Sequence, residues 1–272
     1  MGDQDMSKKK VLFITQEMDP YLDLDGIGTL IQKLPAYAQD GGMEIRILMP
    51  RFGTINERRH RLHEVVRLSG MNIIIDDDDY ALIIKVASLP GSRIQVYFLD
   101  NDEFFKRKMV FADDDGVLFD DNQDRMIFFC KGAIETVKKF GWPPDIVHCH
   151  GWMTSLIPFY LKTAYKNDPV FKGSKVVFSV YPNSQESNFT DHFFKKASIN
   201  NLKPEQLSVF KNGTGIALHK GAIQYADGII IGPQEIEQSL NEAITATKKP
   251  ILNTTAEEYL PSYLDFYKNL IG

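Results

Sequence analysis

The sequence predicts an α/β protein built on one doubly wound, mostly parallel sheet. Short apolar runs alternate with amphipathic helical segments, which is the pattern of strand–helix–strand units. Its 272 residues, 43% hydrophobic and 25% charged, are enough for one large domain with a sizeable core. A stretch of three β-rich runs with little helix between them predicts an antiparallel excursion from the sheet. We therefore expect a single domain over residues 1–272, with a core at about 8–240 and a helical tail at 241–272.

The first strand–helix–strand unit lies near the start of the chain. An apolar run at 11–14 predicts a buried strand, and apolar residues at helical spacing predict a helix over 26–39, ended by Gly41 and Gly42. A second strand follows at 45–49 and stops at Pro50. The loop at the entrance of the helix contains glycine, which suits a close approach between backbone and ligand.

The antiparallel excursion falls within residues 65–99. Three β-rich runs occupy 71–75, 81–86 and 94–99, and four consecutive aspartates at 76–79 predict a solvated turn between the first two. The remaining elements follow the alternating pattern. They are helices at 101–108, 122–140, 152–164, 218–225, 235–246 and 257–271, strands at 146–149, 176–180 and 228–231, and a long polar segment at 182–210 with short helical pieces. The whole is a Rossmann-like arrangement with its last helix packed on the sheet.

The strand at 146–149 carries the strongest functional signal. His148 and His150 lie two residues apart, so they share one face of the strand at its carboxyl end, where open α/β sheets bind ligands. Trp152 follows at the start of the next helix. We take His150 as the candidate catalytic residue, and His148 and Trp152 as candidate substrate contacts. The alternative is that His148 and His150 are core histidines and that Trp152 is helix packing.

The glycine loop and one polar loop supply the other candidates. Gly26 and Gly28, at a helix N-terminus, are candidate phosphate contacts, although Asp23 and Asp25 in the same loop repel anions. Asp25 has an alternative role as a helix N-cap. Asn183, just beyond the strand at 176–180, is a candidate sugar contact whose alternative is an ordinary loop residue.

Composition excludes several classes of function. The net charge of −5 and the sequence pI of about 5.7 argue against a nucleic-acid surface, and the basic runs at 58–61 and 106–108 are interpreted as solvated faces. No apolar run is long enough to span a membrane, and the first ten residues are too polar for a signal peptide. Two cysteines in apolar segments favour a reducing, cytoplasmic location. The histidine spacing does not complete a metal site, so we expect no metal and no cofactor.

Several segments together resemble one enzyme family. Asp121, Asn122 and Arg125, followed by the run at 140–152 (FGWPPDIVHCHGW), closely resemble the matching stretch of bacterial glycogen synthases and plant starch synthases. The segments at 20–35, 49–53 and 220–227 resemble further parts of the family in the correct order, so the resemblance covers about residues 8–240. It implies the first half of a GT-B arrangement, in which glucose is transferred from ADP-glucose to an α-1,4-glucan in a cleft between two Rossmann-like domains.

Three departures from the family limit what the resemblance implies. The family's Lys-x-Gly-Gly-Leu loop corresponds to residues 23–27 (DLDGI), so an acid replaces the lysine and a second acid replaces a glycine. Gly151 stands where the family has Asp, and the pair at 181–182 (YP) stands where the family has His-Asn. The second domain, which supplies most contacts to the nucleotide, is expected to be lacking from these 272 residues.

Two hypotheses about function follow. In the first, the chain is a synthase half that transfers glucose from ADP-glucose once a second chain or domain completes the cleft. In the second, it is a non-catalytic glucan-binding or regulatory subunit. The tail at 250–272 is rich in Tyr, Leu and Phe, which is too apolar for a disordered linker and predicts a helix packed back on the domain. That feature favours the second hypothesis.

Overall fold

The computed structural model describes residues 8–24, 26–182, 191–211, 215–254 and 259–272. Its centre is a ten-stranded mixed sheet in the order β10-β9-β8-β7-β1-β2-β6-β5-β3, with β4 also paired to β5. The strands are β1 Lys10–Thr15, β2 Glu44–Pro50, β3 His63–Glu64, β4 Met71–Ile75, β5 Asp78–Ser88, β6 Gln95–Asp100, β7 Ile146–His150, β8 Lys175–Val180, β9 Gly228–Ile231 and β10 Ile251–Asn253.

The helices connect these strands on both faces of the sheet. They are α1 Gly28–Asp40, α2 Glu57–His60, α3 Asp102–Phe105, α4 Asn122–Phe140, α5 Leu156–Lys162, α6 Asp191–Ala197, α7 Gly215–Tyr225, α8 Gln238–Ala246 and α9 Tyr259–Ile271, with 3-10 turns at Trp152–Thr154 and Pro204–Phe210. Helices α4, α5 and α7 pack side by side on one face, whereas α1 and α9 contact each other. The buried apolar side chains form one continuous cluster through the sheet.

The predicted fold class is confirmed. Every pairing from β2 through β1, β7, β8 and β9 to β10 is parallel, and β2 pairs β6 in parallel, whereas β3, β4 and β6 pair β5 antiparallel. The antiparallel excursion therefore lies at one edge of a parallel sheet. Burial explains the sequence pattern, since all five residues of β7 are buried and the strand reads as a continuous apolar run interrupted by two histidines.

The structure differs from the predicted elements at several places. The turn between β4 and β5 uses only residues 76–77, and Asp78 and Asp79 belong to β5, so the predicted four-residue turn is wrong in extent. Asp76 has φ of +56°, which Asp tolerates better than most residues, and this allows so tight a turn. The helix predicted over 152–164 is a 3-10 turn followed by α5. Elements α2, β3 and β10 are not predicted, because they span two to four residues.

Helix α9 packs on the sheet as the apolar tail predicts. Tyr263 and Tyr267 are 1% and 0% exposed, and Leu264 is also buried. A Cβ on Gly228 of β9 would meet the Phe266 ring at 2.9 Å, and one on Gly41 would meet Leu264 at 2.5 Å. The glycines at these two positions therefore let the helix approach the end of α1 and the sheet. Within the described residues no helix is long and apolar enough to cross a membrane.

Candidate functional site

Strand β7 brings the two histidines into the centre of the molecule. It lies between β1 and β8, and His148 and His150 project from the same face because side chains alternate along a strand. The imidazole centroids are 3.8 Å apart, and the Phe13 ring of β1 lies 5.7 Å from the first and 6.1 Å from the second. Both histidines are fully buried. The pair predicted from the sequence is therefore assembled, but inside the protein and not on an open edge.

Hydroxyl groups hold both imidazoles. His148 Nδ1 lies 2.6 Å from the Tyr267 hydroxyl of α9, and its Nε2 lies 2.8 Å from Ser179 Oγ of β8. His150 Nδ1 lies 2.8 Å from the Tyr181 hydroxyl. Among the described residues, His150 Nε2 has no hydrogen-bond partner. His148 thus has both ring nitrogens occupied, whereas His150 keeps one nitrogen uncommitted.

Burial keeps this cluster uncharged. Desolvation lowers the pKa of His150 to about 3, and desolvation followed by the neighbouring His150 lowers the pKa of His148 well below its usual range. Desolvation likewise raises the pKa of Tyr181 and of Tyr267 well above the usual value for a phenol. At neutral pH the site is therefore a neutral hydrogen-bonded network of two imidazoles, two phenols and a serine.

The tyrosines of α9 are the site residues that the sequence interpretation missed. Tyr259, Tyr263 and Tyr267 are spaced i, i+4 and i+8, so they lie on one face of the helix. Ring centroids of His148 lie 6.0 Å from Tyr263 and 5.7 Å from Tyr267. The periodic tyrosines were a visible signal for a packed helix, but nothing in their spacing identifies a histidine 119 positions away as the partner.

The turn after β7 explains one departure from the family pattern. Gly151 has φ of +83°, and a Cβ there would meet Gln16 Oε1 at 2.3 Å. Gln16 Oε1 accepts the Met153 backbone N–H at 3.3 Å, so the Gln16 side chain occupies the space beside the turn. Trp152 follows, 2% exposed, with its ring centroid 4.9 Å from that of Phe111. In this conformation Trp152 packs against Phe111 and has no open surface for a substrate.

The loop from β1 to α1 is closed by an internal carboxylate. Glu17 is fully buried, and its Oε1 and Oε2 accept the backbone N–H groups of Ile27 at 2.9 Å and Leu24 at 2.5 Å. Gly28 begins α1 and packs against the loop, where a Cβ would lie 3.2 Å from the Asp19 nitrogen. Gly26 is exposed, with φ of +78°. Backbone amides that could face a phosphate thus already donate to Glu17.

Two loop residues that the sequence suggested as candidates, Asn183 and Asp25, lie outside the described residues. The sugar contact proposed for Asn183 therefore stays a prediction. Ile27 occupies the N-cap position of α1 and makes no side-chain capping bond. Within the described parts of the chain, no group of three or more His, Cys, Asp or Glu side chains could hold a metal ion.

A pocket of about 250 Å³ lies beside the histidine cluster. We call it the tyrosine pocket, because three tyrosines line it, one just after β8 and two from α9. Its residues come from the β1–α1 loop, the ends of β8, β9 and β10, and the start of α9. They are Gly26, Ile27, Thr29, Leu30, Tyr181, Pro233, Gln234, Thr254, Tyr259 and Tyr263. Tyr181 links the pocket to the cluster, since its hydroxyl bonds His150.

Comparisons with known proteins agree with this architecture. Glycogen synthase of Chlorobium limicola is 35% identical over 221 residues, covering 80% of this chain and 44% of the relative. Glycogen synthase of Chlorobium luteolum is 38% identical over 216 residues, covering 78% and 41%. The chain thus spans less than half the length of these relatives.

A solved structure and a family profile complete the comparison. The catalytic domain of Starch Synthase IV from Arabidopsis thaliana, bound to ADP and acarbose, superposes with a TM-score of 0.75 at 19% identity. The match covers 94% of this chain and 53% of that one, and it establishes a shared fold. A profile of the starch synthase catalytic domain matches residues 10–238. Since that match takes in most of the chain, including β7 and its histidines, the chain belongs to the starch synthase catalytic domain family.

Proposed function

We propose that this glycogen and starch synthase-like chain binds an α-glucan at the tyrosine pocket and does not transfer glucose by itself. The observation that carries the proposal is the hydrogen bond between Tyr267 of α9 and His148 Nδ1. With α9 in this position, His148 and His150 are fully buried. A reacting sugar carbon cannot contact a side chain that has no exposed surface, so His150 is a positioning group for Tyr181 in this state.

The tyrosine pocket has the character of a sugar site. Its volume of about 250 Å³ is slightly below the usual range for drug-sized ligands, about 300–1,000 Å³, which suits one sugar ring. Tyrosine offers an apolar ring and a polar tip, so it can pack against a pyranose and bond its hydroxyl groups. Thr29, Gln234 and Thr254 add further donors and acceptors. The Arabidopsis neighbour was bound to acarbose, which supports a carbohydrate in this family fold.

The loop that would face the nucleotide has few groups that could bind a phosphate. Glu17 already accepts the loop amides of Leu24 and Ile27, and the exposed Asp23 stands where the resemblance implies a lysine. A like charge about 4 Å from a phosphate costs about 4 kcal/mol at an effective dielectric of about 20, close to three decades in affinity. We therefore predict that ADP-glucose binds with a dissociation constant no better than about 1 mM.

One pair of titrations and one assay test the proposal. Maltotriose should bind saturably by calorimetry, and Tyr259→Ala should weaken that binding at least about tenfold, equivalent to about 1.4 kcal/mol. The matched control is Tyr37→Ala, which removes a tyrosine from α1 outside the pocket. Purified protein should transfer no glucose from ADP-glucose to glycogen. Micromolar binding of ADP-glucose, or loss of maltotriose binding in the Tyr37 variant alone, contradicts the proposal.

A second candidate function is glucosyl transfer completed by a further domain or chain. It is favoured by the free Nε2 of His150, which among the described residues has no hydrogen-bond partner. A neutral imidazole with one open nitrogen can donate to or accept from a sugar hydroxyl once α9 moves. With that further domain or chain supplied, this candidate predicts turnover with ADP-glucose and glycogen that His150→Ala abolishes. Absence of turnover with and without the substitution favours the non-catalytic function.

A further inference from the structure

A second pocket, which also includes a residue of the β1–α1 loop, is lined by basic side chains. It has a volume of about 670 Å³, and we call it the basic pocket. It lies between α2, β3, the end of β5 and the β1–α1 loop. Its residues are Tyr21, Arg59, His60, Arg61, His63, Ala87, Ser88 and Pro90. The sequence interpretation assigned the run at 58–61 to a solvated face, but three of its four residues converge with His63 on this concavity.

The positive charge of the basic pocket has no counter-charge in its described wall. None of the lining residues is acidic. Among the described residues, no salt bridge joins Arg59, Arg61 or either histidine to a carboxylate. Glu57, two residues before Arg59, is engaged by Lys85 at 2.7 Å and by Arg51 Nε at 3.5 Å. Glu64, which follows His63, does not line the pocket. The chain has a net charge of −5, so a positively charged concave surface is unusual in it.

The floor and the backbone of the basic pocket are fixed. The Tyr21 ring lies edge-on to His60 and to Phe98, each at 4.9 Å between centroids, and its hydroxyl donates to the Ser88 carbonyl at 3.1 Å. Asn56 Oδ1 accepts the Arg59 N–H at 3.0 Å, and Arg61 holds a left-handed conformation at φ of 54°. Partial burial, and after it the neighbouring Arg59, lowers the pKa of His60.

We propose that the basic pocket binds the phosphate ester of a small sugar. Arg59 and Arg61 both line the pocket, and a guanidinium group can donate two parallel N–H bonds to one phosphate. Ala87, Pro90 and Tyr21 give the organic part of the ligand an apolar surface, and Ser88 also lines the pocket. Because Tyr21 belongs to the loop that also carries Gly26, this ligand contacts the segment that borders the tyrosine pocket.

Calorimetry with glucose 6-phosphate, inorganic phosphate and glucose tests this assignment on the purified chain. Glucose 6-phosphate should bind saturably, glucose should not, and inorganic phosphate should bind at least about tenfold more weakly because it cannot use the apolar floor. The double variant Arg59→Gln with Arg61→Asn should weaken glucose 6-phosphate at least about tenfold. Asn tolerates the left-handed backbone at position 61, so the fold is retained.

The control is Arg58→Gln, which removes one positive charge from α2 at a position that does not line the pocket. Its affinity for glucose 6-phosphate should stay within about twofold of the unmodified chain. Three results would overturn the assignment. They are no saturable binding at about 10 mM glucose 6-phosphate, equal affinity for inorganic phosphate, and a loss in the Arg58 variant as large as in the double variant.

Discussion

At the scale of single residues, the buried imidazoles determine how stability responds to acid. Burial lowers the pKa of His150 to about 3 and that of His219 to about 4. An unfolded histidine takes up a proton below about pH 6.5, whereas these folded ones do not. The stability that each neutral imidazole contributes is therefore fully present above about pH 6.5. It is lost as the pH falls from there toward the folded pKa.

The free energy of unfolding should fall by about 1.4 kcal/mol per pH unit for each such histidine, or about 2 kcal/mol from His150 alone at pH 5. Urea denaturation at a series of pH values measures this slope. His150→Gln should reduce this slope by the contribution of one proton, about 1.4 kcal/mol per pH unit. His192→Gln, at an exposed position, should leave the slope unchanged. A slope unaffected by the first substitution contradicts a neutral, buried His150.

Gly151 and Gln16 are coupled, because Gln16 fills the space that a side chain at position 151 would need. Any side chain there meets Gln16 Oε1 at 2.3 Å and also strains a backbone with φ of +83°. Gly151→Ala should therefore destabilise the chain by about 2–4 kcal/mol, of which the positive-φ backbone strain accounts for about 1–3 kcal/mol. In the double variant with Gln16→Ala, the steric part should disappear. A double-mutant cycle measures this coupling, and strictly additive effects would show that Gln16 does not fill the space.

At the scale of elements, α9 is held by its contacts and not by its own propensity. Thirteen residues are marginal for an isolated helix, so its order depends on Tyr263, Leu264 and Tyr267 packing against the sheet and α1. Amide hydrogen exchange should find the backbone of α9 protected to a degree comparable with β7. Tyr267→Phe removes the hydroxyl from His148 and should speed exchange in α9 by about fivefold to tenfold, for a lost bond of about 1 kcal/mol.

Tyr259→Phe is the control for that experiment, since Tyr259 lies on the same face of α9 but is only partly buried. Exchange in α9 should then change by less than twofold, or about 0.4 kcal/mol. Rates in α9 near those of an unstructured peptide in the unmodified chain would mean that the helix does not cover the histidines in solution.

Helix α4 illustrates a motif whose role is structural. Arg125 is fully buried; its Nε donates to the Phe104 carbonyl at 2.7 Å, and its Nη1 donates to the Val110 carbonyl and to Asn122 Oδ1. Arg125 thus fastens the segment between α3 and α4 to the domain. The sequence identified this residue through its resemblance to the family, but only the contacts reveal that it supports backbone carbonyls.

At the scale of the whole molecule, the local sequence pattern predicted the sheet but not the full set of site residues. Helix α4 and strands β4 and β9 fall at the predicted residues, because their periodicity and flanking glycines or prolines act locally. The histidines were found because β7 is short and apolar. The helix that covers them was not identified, because Tyr267 is 119 residues from His148 and a helix face does not specify its partner.

The sequence analysis did not predict the basic pocket, for the same reason. Arg59 and Arg61 are ordinary exposed charges in sequence, and only the fold brings them beside Tyr21 and the end of β5. The hydrogen bond between Tyr181 and His150 likewise depends on β7 and β8 being neighbouring strands, whereas the sequence predicts only that both belong to one mostly parallel sheet. Both sites are thus formed by residues that only the folded chain brings together.

The central claim is that α9 seals a neutral histidine pair inside this domain. Long-range proton–nitrogen NMR of the imidazoles, between about pH 8 and pH 5, tests it most directly. The claim predicts that His148 and His150 remain neutral throughout this range, and that Tyr267→Ala allows at least one of them to titrate nearer to about pH 6.5. Titration of both near pH 6.5 in the unmodified chain would contradict it.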